Sequence, residues 1–166
     1  MTDGQPDFSA IFFETFNRAA HPVRYAIRNS PNLLHDLAFV SSLVHDARLL
    51  TPDVQPEDGC VTIALNRDCW ELGYTQRGQS HELHIADCQL RLTGVQSIQW
   101  DFEQTPLGEP WLDFLWIDLG FRRDPHFGFY LVGDELKCTI MLAQDDWTIH
   151  LMDTEMPYLF SQKPSS

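Results

Sequence analysis

The spacing of apolar residues changes near residue 60, from a period of about 3.6 residues to a period of about 2. Before that point apolar residues recur at intervals of three and four, which is typical of amphipathic helices. After it they alternate with polar residues, which is typical of strands with one buried face. A chain in which helices come first and strands follow is expected to form an α+β fold.

Two helices are predicted before residue 51. The first spans residues 7–19, where one face carries the apolar residues Phe8, Ile11, Phe12 and Phe16. The second spans residues 31–49, with Ser30 as its cap and Pro31 at its first position. Its buried face is expected to consist of Leu33, Leu37, Val40, Val44 and Ala47.

About six to seven strands are predicted after residue 60, in a mostly antiparallel sheet that ends in a meander. The alternation slips by one residue at Ala86-Asp87, which predicts a bulge or a tight turn there. The run from Trp111 to Phe121 is apolar on both faces, so we expect it in the middle of the sheet or at an interface between chains. Trp116, within this run, is expected to be buried under a helix or a partner.

These elements predict one domain over residues 1–153, with a helical part at 7–50 and a sheet part at 60–153. Two N-terminal helices would pack on the sheet. The length suits a single hydrophobic core. Residues 154–166, which end in Gln-Lys-Pro-Ser-Ser, are expected to form a flexible tail.

The charge of the chain restricts its partners. The formal net charge is −13, and residues 101–155 contribute −9 of it. Such a field repels nucleic acid and anionic membrane surfaces, and it favours a basic protein partner or serves solubility alone. The N-terminus lacks the basic and then apolar pattern of a secretory signal, and no apolar run approaches a membrane span of about 20 residues. We therefore expect a cytoplasmic protein.

No motif in the sequence specifies a catalytic residue, a metal site or a cofactor. The four cysteines are widely separated, with no C-x-x-C pair, and are expected to be free thiols. His81 and His84 have a spacing that would place them on opposite faces of a strand, which argues against a shared metal ion. Nucleotide-binding and serine-hydrolase signatures do not occur.

The leading hypothesis is a non-enzymatic binding or assembly protein that uses the sheet of residues 96–155. Asp101 and Glu103 would steer a basic partner or a second copy of the chain, and Trp116 would be among the aromatic anchors. One alternative is a small-ligand binder or enzyme with a pocket between the second helix and the sheet. Its polar groups would be His45, Arg48, Asp118 and His150. A structural subunit of a larger assembly is the third possibility.

Overall fold

The computed structural model describes residues 20–77, 80–102, 116–122, 128–133, 136–159 and 161, with the backbone alone for 74–77, 80 and 116–122. The helix predicted at 7–19 lies outside the described residues. Within them there is one α-helix, α1 (Leu33–Val44), and one 3-10 turn (Trp70–Leu72). The described strands are β1 (Arg24–Arg28), β2 (Ala47–Leu49), β3 (Cys60–Asp68), β4 (Tyr74–Arg77), β5 (Ser80–Thr93), β6 (Val95–Phe102), β7 (Trp116–Arg122), β8 (Gly128–Gly133), β9 (Leu136–Leu142), β10 (Thr148–Asp153) and β11 (Tyr158–Leu159).

The helix predicted at 31–49 is shorter than expected. It ends at Val44, because His45 leaves the helical region and Asp46 adopts a φ of +58°. The next three residues form β2, which pairs with β3 on one side and β7 on the other. Two strand partners stabilise Ala47–Leu49 as a strand although the helical spacing of apolar residues continues through it.

The strands pair antiparallel, in the order β1-β10-β5-β3-β2-β7-β8-β9-β6, and β4 and β11 also pair with β5. The prediction of a mostly antiparallel sheet is therefore confirmed. The predicted strand number was too low, because the sequence pattern missed the short strands β1, β2, β4 and β11. The predicted meander holds for β7, β8 and β9, but β10 pairs with β1 and β5 instead of β9.

A bend at Gly94 connects β6, at one end of this strand order, with β5, the third strand from the other end. Gly94 is the single residue between β5 and β6, and its φ of +73° lies in the left-handed region that favours glycine. Its carbonyl accepts a 2.7 Å hydrogen bond from the Ala143 amide, beside the connection from β9 to β10. The pairs β5–β10 and β6–β9 are therefore two halves of one bent ribbon. A path through the paired strands from β5 by way of β3, β2, β7, β8 and β9 arrives at β6, which follows β5 directly in the chain.

One hydrophobic core is shared by the helix and both halves of the ribbon. Alternate residues of the strands point into it, and α1 contacts β1, β3 and β7. We call the opposite side of each strand its outer face. None of the helices in the described ranges has the length and hydropathy that a membrane span requires. In the segment predicted as a flexible tail, Tyr158–Leu159 forms β11 against Ile85 and His84 of β5.

Candidate functional site

The outer sides of β6, β9 and β8 form a continuous surface, which we call the C-terminal face. Cross-strand pairing defines its rows: Asp101 lies opposite Lys137, which lies opposite Val132. In the next row Gln99 lies opposite Thr139, which lies opposite Tyr130. Asp101 is exposed, and Gln99 donates a 3.1 Å hydrogen bond to it.

Two apolar side chains stand side by side on β8, at one side of the C-terminal face. Tyr130 and Val132 are two residues apart on β8, so they are neighbours on one side of the strand. Tyr130 is 37% exposed and Val132 is 40% exposed. Their inward neighbours Phe129 and Leu131 are fully buried, which fixes the orientation of the strand. The face therefore combines two apolar side chains on β8 with charged and amide groups on β9 and β6.

Of the residues predicted for binding at this sheet, only one has a described side chain. Asp101 lies on the C-terminal face. Glu103 lies outside the described residues. Trp116 begins β7, where its backbone pairs with Arg48, and only its backbone is described. The burial of the Trp116 side chain therefore remains a prediction.

The four polar residues proposed to share a pocket do not all converge. His45 follows α1, Arg48 lies on β2, and the backbone of Asp118 on β7 is adjacent to Ile117, which pairs with Ala47. His150 lies on β10, and β5 and β3 separate β10 from β2. The structure thus brings the first three positions to one region of the sheet and places His150 elsewhere.

Arg48 belongs to a polar network on the outer face of β2, β3 and β5. Its Nη1 donates to Asn66 Oδ1 at 2.8 Å, and Asn66 Nδ2 donates to Asp87 Oδ1 at 2.6 Å. Arg48 Nη2 lies 3.7 Å from Asp68 Oδ1. Burial raises the pKa of Asp68, although the charge of Arg48 opposes this effect. The contacts of Arg48 within the fold indicate that the network joins neighbouring strands.

The sequence analysis missed a second charged network, in which the side chains of Arg67 and Asp153 are fully buried. Arg67 is 0% exposed, and its Nε and Nη2 each donate to Asp153 at 2.9 Å, one to each carboxylate oxygen. Arg67 Nη1 donates to Glu71 at 2.7 Å, and the same Glu71 oxygen lies 2.9 Å from His21 Nε2. Asp153 also accepts the Val23 amide at 2.8 Å.

The position of this network indicates a structural role. Burial alone disfavours the charged guanidinium, but the hydrogen bonds to Asp153 and the charge of Glu71 outweigh that cost and raise the pKa of Arg67. The network ties the segment before β1 to the ends of β3 and β10. A substrate cannot reach Arg67 or Asp153, because neither side chain is exposed.

The thiols and the metal-ligand side chains give no separate site in the described part of the chain. All four cysteines are free, as the sequence predicts. Burial raises the pKa of Cys69 to about 12. Among the described residues, no group of three or more His, Cys, Asp and Glu side chains is placed to hold a metal ion. Comparisons with protein-family models, with curated proteins and with solved structures found no match.

Proposed function

We propose that this protein binds another protein through its C-terminal face. The observation that carries the proposal is the exposure of Tyr130 and Val132 side by side on β8. Exposed apolar side chains that adjoin one another are typical of interaction surfaces, whereas single ones are common on any protein. Tyr130 is also of a residue type that often contributes most to the free energy of binding.

The surroundings of these two residues support the same function. Asp101, Gln99 and Lys137 lie beside them on the two neighbouring strands, and polar groups commonly border the apolar part of an interface. The net charge of −13 would attract a basic partner over a longer range than the contact itself. A basic protein is therefore the partner class that we propose, with a second copy of the chain as the alternative.

The proposal is a binding function without catalysis, in the cytoplasm. The Arg48 network supports a function without catalysis, because its polar groups form hydrogen bonds with one another across three strands. The four free thiols support a location in the cytoplasm, because a reducing compartment keeps cysteines in the thiol form.

Affinity capture with matched surface variants tests the proposal. Wild-type protein is used as bait in an extract of its host, and Tyr130→Ala and Val132→Asp are compared with Met156→Ala. Met156 is exposed but lies on no described strand, so it controls for loss of exposed apolar area. We expect Tyr130→Ala to weaken capture of a specific partner by about 2 kcal/mol or more, and Met156→Ala to leave it unchanged.

Two further measurements sharpen the test. Asp101→Lys changes the net charge from −13 to −11 and is expected to slow association with the captured partner while the melting temperature stays constant. Sedimentation of the purified protein determines whether the partner is a second copy. Capture of the same proteins by the wild type, Tyr130→Ala and Val132→Asp would exclude the C-terminal face as the binding surface.

A further inference from the structure

Three arginines and a histidine lie together on the outer faces of β1, β10 and β5. Arg24, Arg28 and Arg91 are exposed, and His150 is half-buried between them. Strand register sets their arrangement, because His150 lies opposite Ala26 on one side and Arg91 on the other. We call these four residues the arginine strip.

The dimensions of the strip follow from sheet geometry. Arg24 and Arg28 are four residues apart on one strand, which places their Cα atoms about 13 Å from each other. Arg91 lies two strands from β1, a distance of about 10 Å. The three positive charges are thus separated by about 10–13 Å. The screening length at physiological salt is about 8 Å, so a ligand placed between the charges lies within reach of all three.

The arginines of the strip differ from the other basic side chains that are described. Arg48 and Arg67 contact carboxylates, and Lys137 lies opposite Asp101. Arg24, Arg28 and Arg91 have neither an ion pair nor a hydrogen bond from their side chains to any described residue. Glu57 and Asp58 share with Arg91 a groove of about 470 Å³. The groove lies on the side of Arg91 away from β1.

The strip also adjoins a strand edge that has no partner among the described residues. In the described part of the chain, β1 pairs with β10 alone and forms one end of the strand order. Such an edge presents backbone N–H and C=O groups to a further strand. A segment that added there would place every second side chain on the outer face, next to Arg24 and Arg28. Backbone pairing would give affinity, and the arginines would select the side chains.

We propose that the edge of β1 and the arginine strip bind an acidic protein segment in extended conformation, with carboxylates at alternate positions. This surface shares no residue with the C-terminal face, so the inference stands apart from the proposed function. A long polyanion such as nucleic acid is disfavoured, because the net charge of −13 repels it beyond the strip. A short segment lies within the screening length of the arginines and interacts mainly with them.

A synthetic peptide tests the proposal on the full chain. The probe is a fluorescent twelve-residue peptide that alternates Glu with Thr, and binding is followed by fluorescence anisotropy. Arg24→Gln/Arg28→Gln is compared with Lys137→Glu, since both variants change the net charge from −13 to −15. We expect the dissociation constant to rise about tenfold in the first variant and less than about twofold in the second. Hydrogen exchange of the amides of residues 24–28 should slow when the peptide binds.

Three control probes make the test decisive. A peptide with the same charges but an N-methyl group on every amide has no backbone N–H to donate along a strand edge, and we expect it to bind much more weakly. A peptide that alternates Gln with Thr should not bind. Equal weakening by both variants, full binding of the N-methylated peptide, equal binding of a hexathymidylate, or no binding of the acidic peptide at millimolar concentration would each overturn the proposal.

Discussion

Replacement of Asp153 by alanine tests whether the buried charge network stabilises the fold. The change removes both acceptors of Arg67 Nε and Nη2, and it also removes the acceptor of the Val23 amide. Because Arg67 is 0% exposed, water cannot replace the lost contacts without opening the structure. Breaking a buried ion pair in this way costs about 3–5 kcal/mol. A loss of that size is a large part of the roughly 5–15 kcal/mol that stabilises a domain.

Urea unfolding followed by tryptophan fluorescence measures this loss. With a slope of about 2 kcal/mol per molar urea, Asp153→Ala should lower the unfolding midpoint by roughly 2 M. Glu155→Ala is the matched control, because Glu155 is an exposed carboxylate two residues away and should matter by less than about 0.5 kcal/mol. In a double-mutant cycle with Arg67→Met, the coupling energy should exceed about 2 kcal/mol. A cost for Asp153→Ala below about 1 kcal/mol would refute the reasoning.

Three other properties can be predicted from the structure. Tyr25 donates a 2.7 Å hydrogen bond to Asp36, and burial with this bond raises the pKa of Tyr25 to about 12. The stability that depends on protonated Tyr25 should be complete below pH 10 and lost as the pH rises towards 12, and Tyr25→Phe should remove a step near pH 12 from an ultraviolet titration of tyrosine ionisation. Cys60 is half-buried and the other three thiols are buried. A thiol reagent at pH 8 should therefore modify Cys60 first, and it should modify all four cysteines only after the protein is unfolded without reductant. Modification of several thiols at one rate in the folded protein would contradict this. Gly94→Ala should destabilise the fold by about 1–3 kcal/mol, because the φ of residue 94 is +73° and an added Cβ would lie 2.9 Å from Trp147 Cα. An unchanged melting temperature would show that this position does not require glycine.

The spacing of apolar residues predicted those elements that are long enough to show a helical or strand period by themselves. The stripe of α1 and the alternation of β3 each span several residues, so the helix and the strand could be predicted without knowledge of their partners. The short strands β1, β2 and β11 could not, because remote partners select their conformation. The bulge predicted at Ala86-Asp87 is wrong: β5 keeps one register there. Ile85 and Ala86 are both buried although they face opposite ways, which explains the slip in the pattern.

The buried network was missed for a different reason. The inward series of β3 runs Val61, Ile63, Leu65 and then Arg67, and the inward series of β10 ends at Asp153. A charged residue that continues an inward series was a usable signal of a buried ion pair. Sequence alone does not show that these two positions meet, since 86 residues separate them in the chain.

The pairing of β1 with β10 has a consequence for folding of the chain during its synthesis on the ribosome. The Val23 amide and its Asp153 acceptor are separated by 130 residues, a length that takes roughly 7–26 s to translate. During that time β1 has neither its strand partner nor the carboxylate that holds the segment before it. Ile27, which is fully buried in the finished protein, is then available to chaperones or to neighbouring nascent chains. β1 is therefore synthesised before β10 and can be completed only when β10 has emerged.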